Sequence, residues 1–226
     1  AVATGGREMK RIVLCMLLLL LLVSHAAGED KDIPLARQIE GLDPEPRIAY
    51  LRWLLEDRGP DADVLFQLGV AWHEQGEADS ALHYYERASA FEKTAAKSYV
   101  NMGVIHDDRG RLTLALRMYE RAIAVAPDDV LARSHAAFIQ FQLKDFDGAW
   151  EDLSHALAVA PDHPQPRFYL AVFFWESRMY REALREWERV VELDPDGFLS
   201  RKARENIAML QKALNAPTDA TWEPRR

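Results

Sequence analysis

The stretch LALRMYERAIAVAPDD, residues 114–129, decides the fold, because its plan recurs along the chain. SALHYYERASAFEKTA precedes it at 80–95, and REALREWERVVELDPDG follows at 181–197. Set on Ala81, Ala115, Ala149 and Ala183, the copies step by 34 residues without a gap. The same step joins Tyr85, Tyr119, Leu153 and Trp187, then Ala88, Ala122, Ala156 and Val190, then Pro127, Pro161 and Pro195. Upstream of each alanine stands a small or apolar doublet: Leu68-Gly69, Met102-Gly103, Ala136-Ala137 and Leu170-Ala171. A fixed period of this length marks stacked repeats, each of which buries its apolar face only against its neighbours.

Ordinary helix packing explains the pattern. Each copy divides into two apolar-periodic segments about Gly76, Gly110 or a polar turn such as Lys144-Asp145. Leu65, Leu68, Gly69 and Trp72 fall at i, i+3, i+4 and i+7, which is one face of a helix. Small residues at Gly69, Ala81 and Ala88 let two helices approach closely, with Tyr85 filling the space between copies. Pro127, Pro161 and Pro195 cannot continue a helix, so each ends the second segment. The first copy has Lys93 in place of proline, and its helix is expected to run on or fray there.

This pattern resembles the tetratricopeptide repeat over residues 62–197. The resemblance implies an all-α fold, a right-handed α-solenoid of four helix–turn–helix units with flanking helices. The units are expected at 62–95, 96–129, 130–163 and 164–197. Residues 28–61 read as an acidic lead-in, mostly irregular to residue 43, then a packing helix with Ile48, Leu51, Leu54 and Leu55 on its buried side. Residues 198–215 read as a capping helix with an apolar stripe at Phe198, Ala203, Ile207, Leu210 and Leu214, and 216–226 as a flexible tail.

Composition narrows the function classes. Hydrophobic residues at 49% and charged residues at 28% describe a globular chain. A net charge of −8 argues against nucleic acid as a partner, because phosphate contacts need a basic face. Cys15 is the only cysteine, so no disulfide framework, thiol nucleophile or cysteine zinc site is available downstream of it.

The beginning of the chain reads separately. From Met9, Lys10 and Arg11 lead into an apolar run from Ile12 to Val23, followed by small residues at Ser24, Ala26 and Ala27. That order is the plan of a secretory signal peptide over residues 9–27, with residues 1–8 as mis-assigned upstream sequence. The expected location is therefore periplasmic or secreted, with cleavage after Ala26 or Ala27. Its apolar run is shorter than the roughly 20 residues of a bilayer span. The rival reading is an uncleaved signal-anchor, which would tether the protein to a membrane.

No motif points to catalysis or to a cofactor. The seven histidines include no His-Glu-x-x-His pair, and Asp107-Asp108 and Asp128-Asp129 sit where helix ends or turns take acids. His106 occupies a packing position, so filling an aromatic slot outweighs any catalytic role. Glu86-Arg87, Glu120-Arg121 and Glu188-Arg189 read as a solvated face with some ion pairing.

What remains is surface. In tetratricopeptide arrays the first helix of each unit lines a concave groove, and the resemblance places Phe66, Val70 and His73 there from the first unit. Val100, Val104 and Asp107 follow from the second, Phe138 and Phe141 from the third, and Phe168, Val172 and Trp175 from the fourth. Asp63, Asp107 and Glu176 would add polar contacts at the rim. Family members that clamp a peptide's terminal carboxylate place Lys and Asn where this chain has Phe66 and Val70; only Asn101 matches a clamp position. The groove is expected to be apolar, and a soluble protein seldom exposes a patch beyond about 300–600 Å2. Three covers compete: a protein or peptide partner segment, the chain itself through its lead-in, its Trp222 tail or a second copy in a homo-oligomer, and burial between neighbouring helices. The chain is thus expected to be a binding scaffold, with an enzyme built on His73 or His106 as the remote alternative.

Overall fold

The structure is a computed structural model that describes residues 35–214, and among these every regular element is a helix. The signal segment 9–27 and the tail 216–226 lie outside the described residues. Two compact units divide between Asp108 and Arg109.

The first unit holds α1 (Leu35–Gln38), α2 (Pro44–Arg58), α3 (Ala62–Glu74), α4 (Ala78–Ala88) and α5 (Glu92–Asp108). Part of the lead-in expected to be irregular is helical: α1 is one turn, and Ile39 just after it is buried. Tyr50 donates to Gln38 Oε1 at 2.8 Å and anchors that turn on α2. Ile48, Leu51 and Leu54 of α2 are buried with Val64, Leu68 and Ala71 of α3, while Leu55 is half-buried. Asp61 starts α3 by accepting from the amides of Asp63 and Val64, and the turn to α4 uses Gly76 at φ 80°.

The junction without proline neither runs on nor frays. α4 stops at Ala88 and α5 begins at Glu92, so Lys93 stands in the first turn of the next helix. The buried Thr94 hydroxyl donates to the Ala88 carbonyl at 2.5 Å, and Ser89 Oγ donates to Glu86 O at 2.8 Å. Those two hydroxyls satisfy carbonyls that a helix end leaves open, which is how the chain turns without proline.

The second unit holds α6 (Leu112–Val125), α7 (Val130–Gln142), α8 (Phe146–Val159), α9 (Pro164–Glu176), α10 (Tyr180–Leu193) and α11 (Phe198–Leu214). α7 packs on α8 and α9 on α10, while the first helices α7, α9 and α11 lie side by side. Asp129, Asp145 and His163 cap α7, α8 and α9 through their side chains. Two arginines 34 residues apart latch successive pairs. Arg133 reaches Asp152 at 2.6 Å and the Pro127 carbonyl at 2.6 Å; Arg167 reaches Glu186 at 2.8 Å and the Pro161 carbonyl at 2.7 Å.

α11 departs from the repeat pattern at the same step. Positions that face the second helix in earlier copies, such as Leu170 and Ala171, become Arg204 and Glu205, both exposed. The stripe expected on α11 is only partly used: Ala203 and Leu210 are buried, but Phe198 is 62% and Leu214 57% exposed, because none of the described helices covers the two ends.

Candidate protein-binding face

In the first unit, the positions assigned to the groove are largely engaged locally. The Phe66 ring packs on Tyr85 at 5.6 Å, and Lys97 Nζ lies 4.2 Å from the Phe66 centroid. Lys97 also stands 3.6 Å from Asp63, which a second lysine, Lys93, contacts as well. Val70 joins the cluster around Ala81, Tyr85 and Ile105. Val100 is only 9% exposed, so it offers little to a partner, while His73, Val104 and Asp107 are half-buried. Burial, and then the neighbouring Asp108, raises the carboxyl pKa of Asp107. Asn101, the single match to a carboxylate clamp, donates to the carbonyl of Lys97 on its own helix at 2.8 Å.

The second unit brings its assigned residues together as an aromatic row along α7 and α9. Phe138 stacks on Tyr169 with centroids 4.8 Å apart, and Phe168 meets the same ring at 6.1 Å. Phe141 contacts Phe146 at 5.4 Å and Phe173 at 5.5 Å, and Trp175 contacts Tyr180 at 5.6 Å and Trp187 at 5.7 Å. Phe138, Phe141, Phe168, Val172 and Trp175 are all half-buried. Neighbouring helices therefore cover part of this row and leave part of it open. At its α11 end the row borders a cleft of about 290 Å3 lined by Val172, Trp175, Glu176, Trp187, Asn206 and Met209.

A polar network that periodicity did not single out holds the row in place. His135 stacks on Tyr119 at 5.3 Å, and its Nδ1 lies 3.3 Å from the Tyr169 hydroxyl. Gln165 Nε2 lies 3.1 Å from His135 Nε2 and 3.4 Å from the same hydroxyl. Burial pulls the His135 pKa down to about 4, against an opposing pull from Asp129, so its imidazole is neutral at pH 7. The network orients Tyr169, and Tyr169 carries Phe138 and Phe168. His135 and Tyr169 are register mates one period apart, as are Val172 and Asn206, and Trp175 and Met209. Extending the 34-residue step beyond residue 197 would have found the cleft residues.

Large apolar side chains are exposed at other places too. Leu143, Phe146, Met179 and Trp150, the last 50% exposed, sit at the α7–α8 and α9–α10 turns and the start of α8. The Glu-Arg pairs form surface: Glu86, Glu120 and Glu188 are exposed, and Arg189 pairs with Asp162 at 2.9 Å and Glu192 at 3.0 Å. No helix among the described residues is long and apolar enough to cross a membrane.

Comparison with known proteins agrees with this architecture. Tetratricopeptide repeat family models match residues 48–96 and 103–172. A crystal structure of MamA is 17% identical, with a TM-score of 0.58, over 76% of this chain and 98% of that one. MamA from Desulfovibrio magneticus RS-1, from its residue 41 to its end, is 18% identical with a TM-score of 0.58, over 72% of this chain and 92% of that one. Likeness at these identities is one of fold. No match was found among curated proteins. The family models, the helical pairs and the structural neighbours together identify this chain as an all-α protein built of tetratricopeptide repeats.

Proposed function

We propose that this chain is an exported scaffold that binds a segment of a partner protein along the first-helix face of its second unit and acts by binding, not by catalysis. The observation that carries this reading is the aromatic row of Phe138, Phe141, Phe168 and Trp175, half-open and bordered by a cleft. Each large apolar side chain that a partner buries completely contributes up to about 1.5–3 kcal/mol, discounted for the half already covered. Phe66, Val70, His73, Val104 and Asp107 hold the same register on the first unit, and Glu176 would add a polar contact at the rim of the row. The acidic chain favours basic flanks on the partner. Export rests on the basic, apolar and small-residue order of residues 9–27, and the repeat units are placed at 62–95, 96–129, 130–163 and 164–197.

A second reading, self-association, is favoured by one observation: Leu143, Phe146, Trp150 and Met179 are exposed at the helix turns and the start of α8. Affinity capture from a secreted or envelope extract separates the two. The bait is the full chain beside a Phe141→Glu, Trp175→Glu variant shown by circular dichroism to be folded. A protein held by the parent and lost by the variant supports the first-helix face. Equal capture by both baits refutes it, and a constant dimeric or larger mass of the purified chain, indifferent to partners, supports self-association.

A further inference from the structure

We infer that the cleft between α9, α10 and α11 is a receptor for the guanidinium of an arginine side chain on the bound segment. The inference deepens the proposed binding face and rests on it for the segment that would carry the arginine. The half-buried Trp175 presents its indole to the cleft, backed by the 2% exposed Trp187, 5.7 Å away and tilted by 49°, so that a cation in the cleft meets aromatic surface. The volume of about 290 Å3 accommodates a long side chain.

Of the polar groups on the walls, Glu176 accepts hydrogen bonds, Asn206 both accepts and donates, and the buried Trp187 Nε1–H donates. Glu176 is exposed and makes no ion pair or hydrogen bond among the described residues, whereas Asp152 and Glu186 of the same unit are neutralised by Arg133 and Arg167. The Asn206 amide likewise has no hydrogen-bond partner among the described residues, so its oxygen is open to an N–H. The register explains why the polar groups gather here. The row Phe138, Val172 reaches Asn206 one period on, so the apolar face gains a polar group on α11, while Phe141, Trp175 reaches the apolar Met209. An apolar side chain in the cleft would desolvate Asn206 without a bond in return, and an anion would face Glu176. A planar, weakly hydrated guanidinium stacks on indole and donates to both acceptors, which an ammonium does less well.

The test needs no partner. The full chain, with its tryptophan indoles labelled with nitrogen-15, is titrated with N-acetyl-L-arginine methylamide, and in parallel with the citrulline analogue, its neutral isostere. The expected result is a saturable shift of the Trp175 and Trp187 indole signals, with citrulline about tenfold weaker and Glu176→Gln weakening arginine about fivefold. Glu176 is exposed, so its replacement leaves the fold intact. Equal binding of citrulline, indifference to Glu176→Gln, or no shift of either indole overturns the assignment. Any of these leaves the capture experiment to stand by itself. Arginine binding with failed capture would instead keep the cleft and refute the groove.

Discussion

Alanine at position 69 would place a methyl carbon 2.5 Å from Tyr85 Cδ1 and Cε1 and 3.0 Å from Cγ. Tyr85 of α4 is fully buried against α3 and in the cluster with Ile105, so the ring has little room to shift. Two effects oppose each other. Alanine in a helix is favoured over glycine by about 0.8–1 kcal/mol. Overpacking a filled core costs about 1–3 kcal/mol, and an approach this short lies at the upper end. We therefore expect Gly69→Ala to destabilise by about 1–2 kcal/mol, which in a chain of this size lowers the melting temperature by about 3–6 °C. The third unit shows the remedy, because there Ala137 packs in one cluster with Leu153. Tyr85→Leu alone should also destabilise, by about 1–3 kcal/mol, through lost burial. Combined with Gly69→Ala it should cost less than the two changes added, by about 1–2 kcal/mol of favourable coupling. Thermal and urea unfolding followed by circular dichroism at 222 nm measure all four proteins. A Gly69→Ala protein as stable as the parent, or an additive double variant, would refute the close approach of glycine and tyrosine as the determinant of this contact.

Three further outcomes are expected. His135 is neutral in the fold with its pKa near 4, while the unfolded side chain titrates near 6.5, so the unfolded state binds more protons in that window. Stability should be complete above pH 6.5 and fall by about 2–3 kcal/mol as pH drops to 4; a His135→Gln variant with the same pH slope in urea titrations would show that the imidazole is not the cause. Lys144 and Arg178 hold positive φ, 68° and 60°, at the register where Gly76 and Gly110 stand. Lys144→Gly and Arg178→Gly should each stabilise by about 0.5–1 kcal/mol, read as a higher urea midpoint at unchanged slope, and a lower midpoint would contradict this. Arg167→Gln removes the bonds to Glu186 and the Pro161 carbonyl and should cost about 1–2 kcal/mol. A double-mutant cycle with Glu186→Gln that returns no coupling would mean the latch contributes nothing.

The 34-residue step determined a great deal by itself. It specified the all-α repeat, the small residues at Gly69 and Ala81, the packing role of Tyr85, and which positions share the first-helix face, because each follows from a helical period acting within one chain segment. It could not decide how far that face is covered. Phe138 and Phe141 are half-buried because Tyr169 and Phe173, more than thirty residues away, lie against them. Val100 is closed and Phe168 half-open at equivalent positions for the same kind of reason. Thr94 replaced proline by a hydrogen bond to a carbonyl six residues back, which no pattern of apolar spacing encodes. Glu176 was legible as a rim acid, but its standing beside two indoles and Asn206 required α9, α10 and α11 to be packed together. Periodicity assigns a side chain to a face; only the sizes of the neighbours that tertiary packing brings there determine what that face can hold.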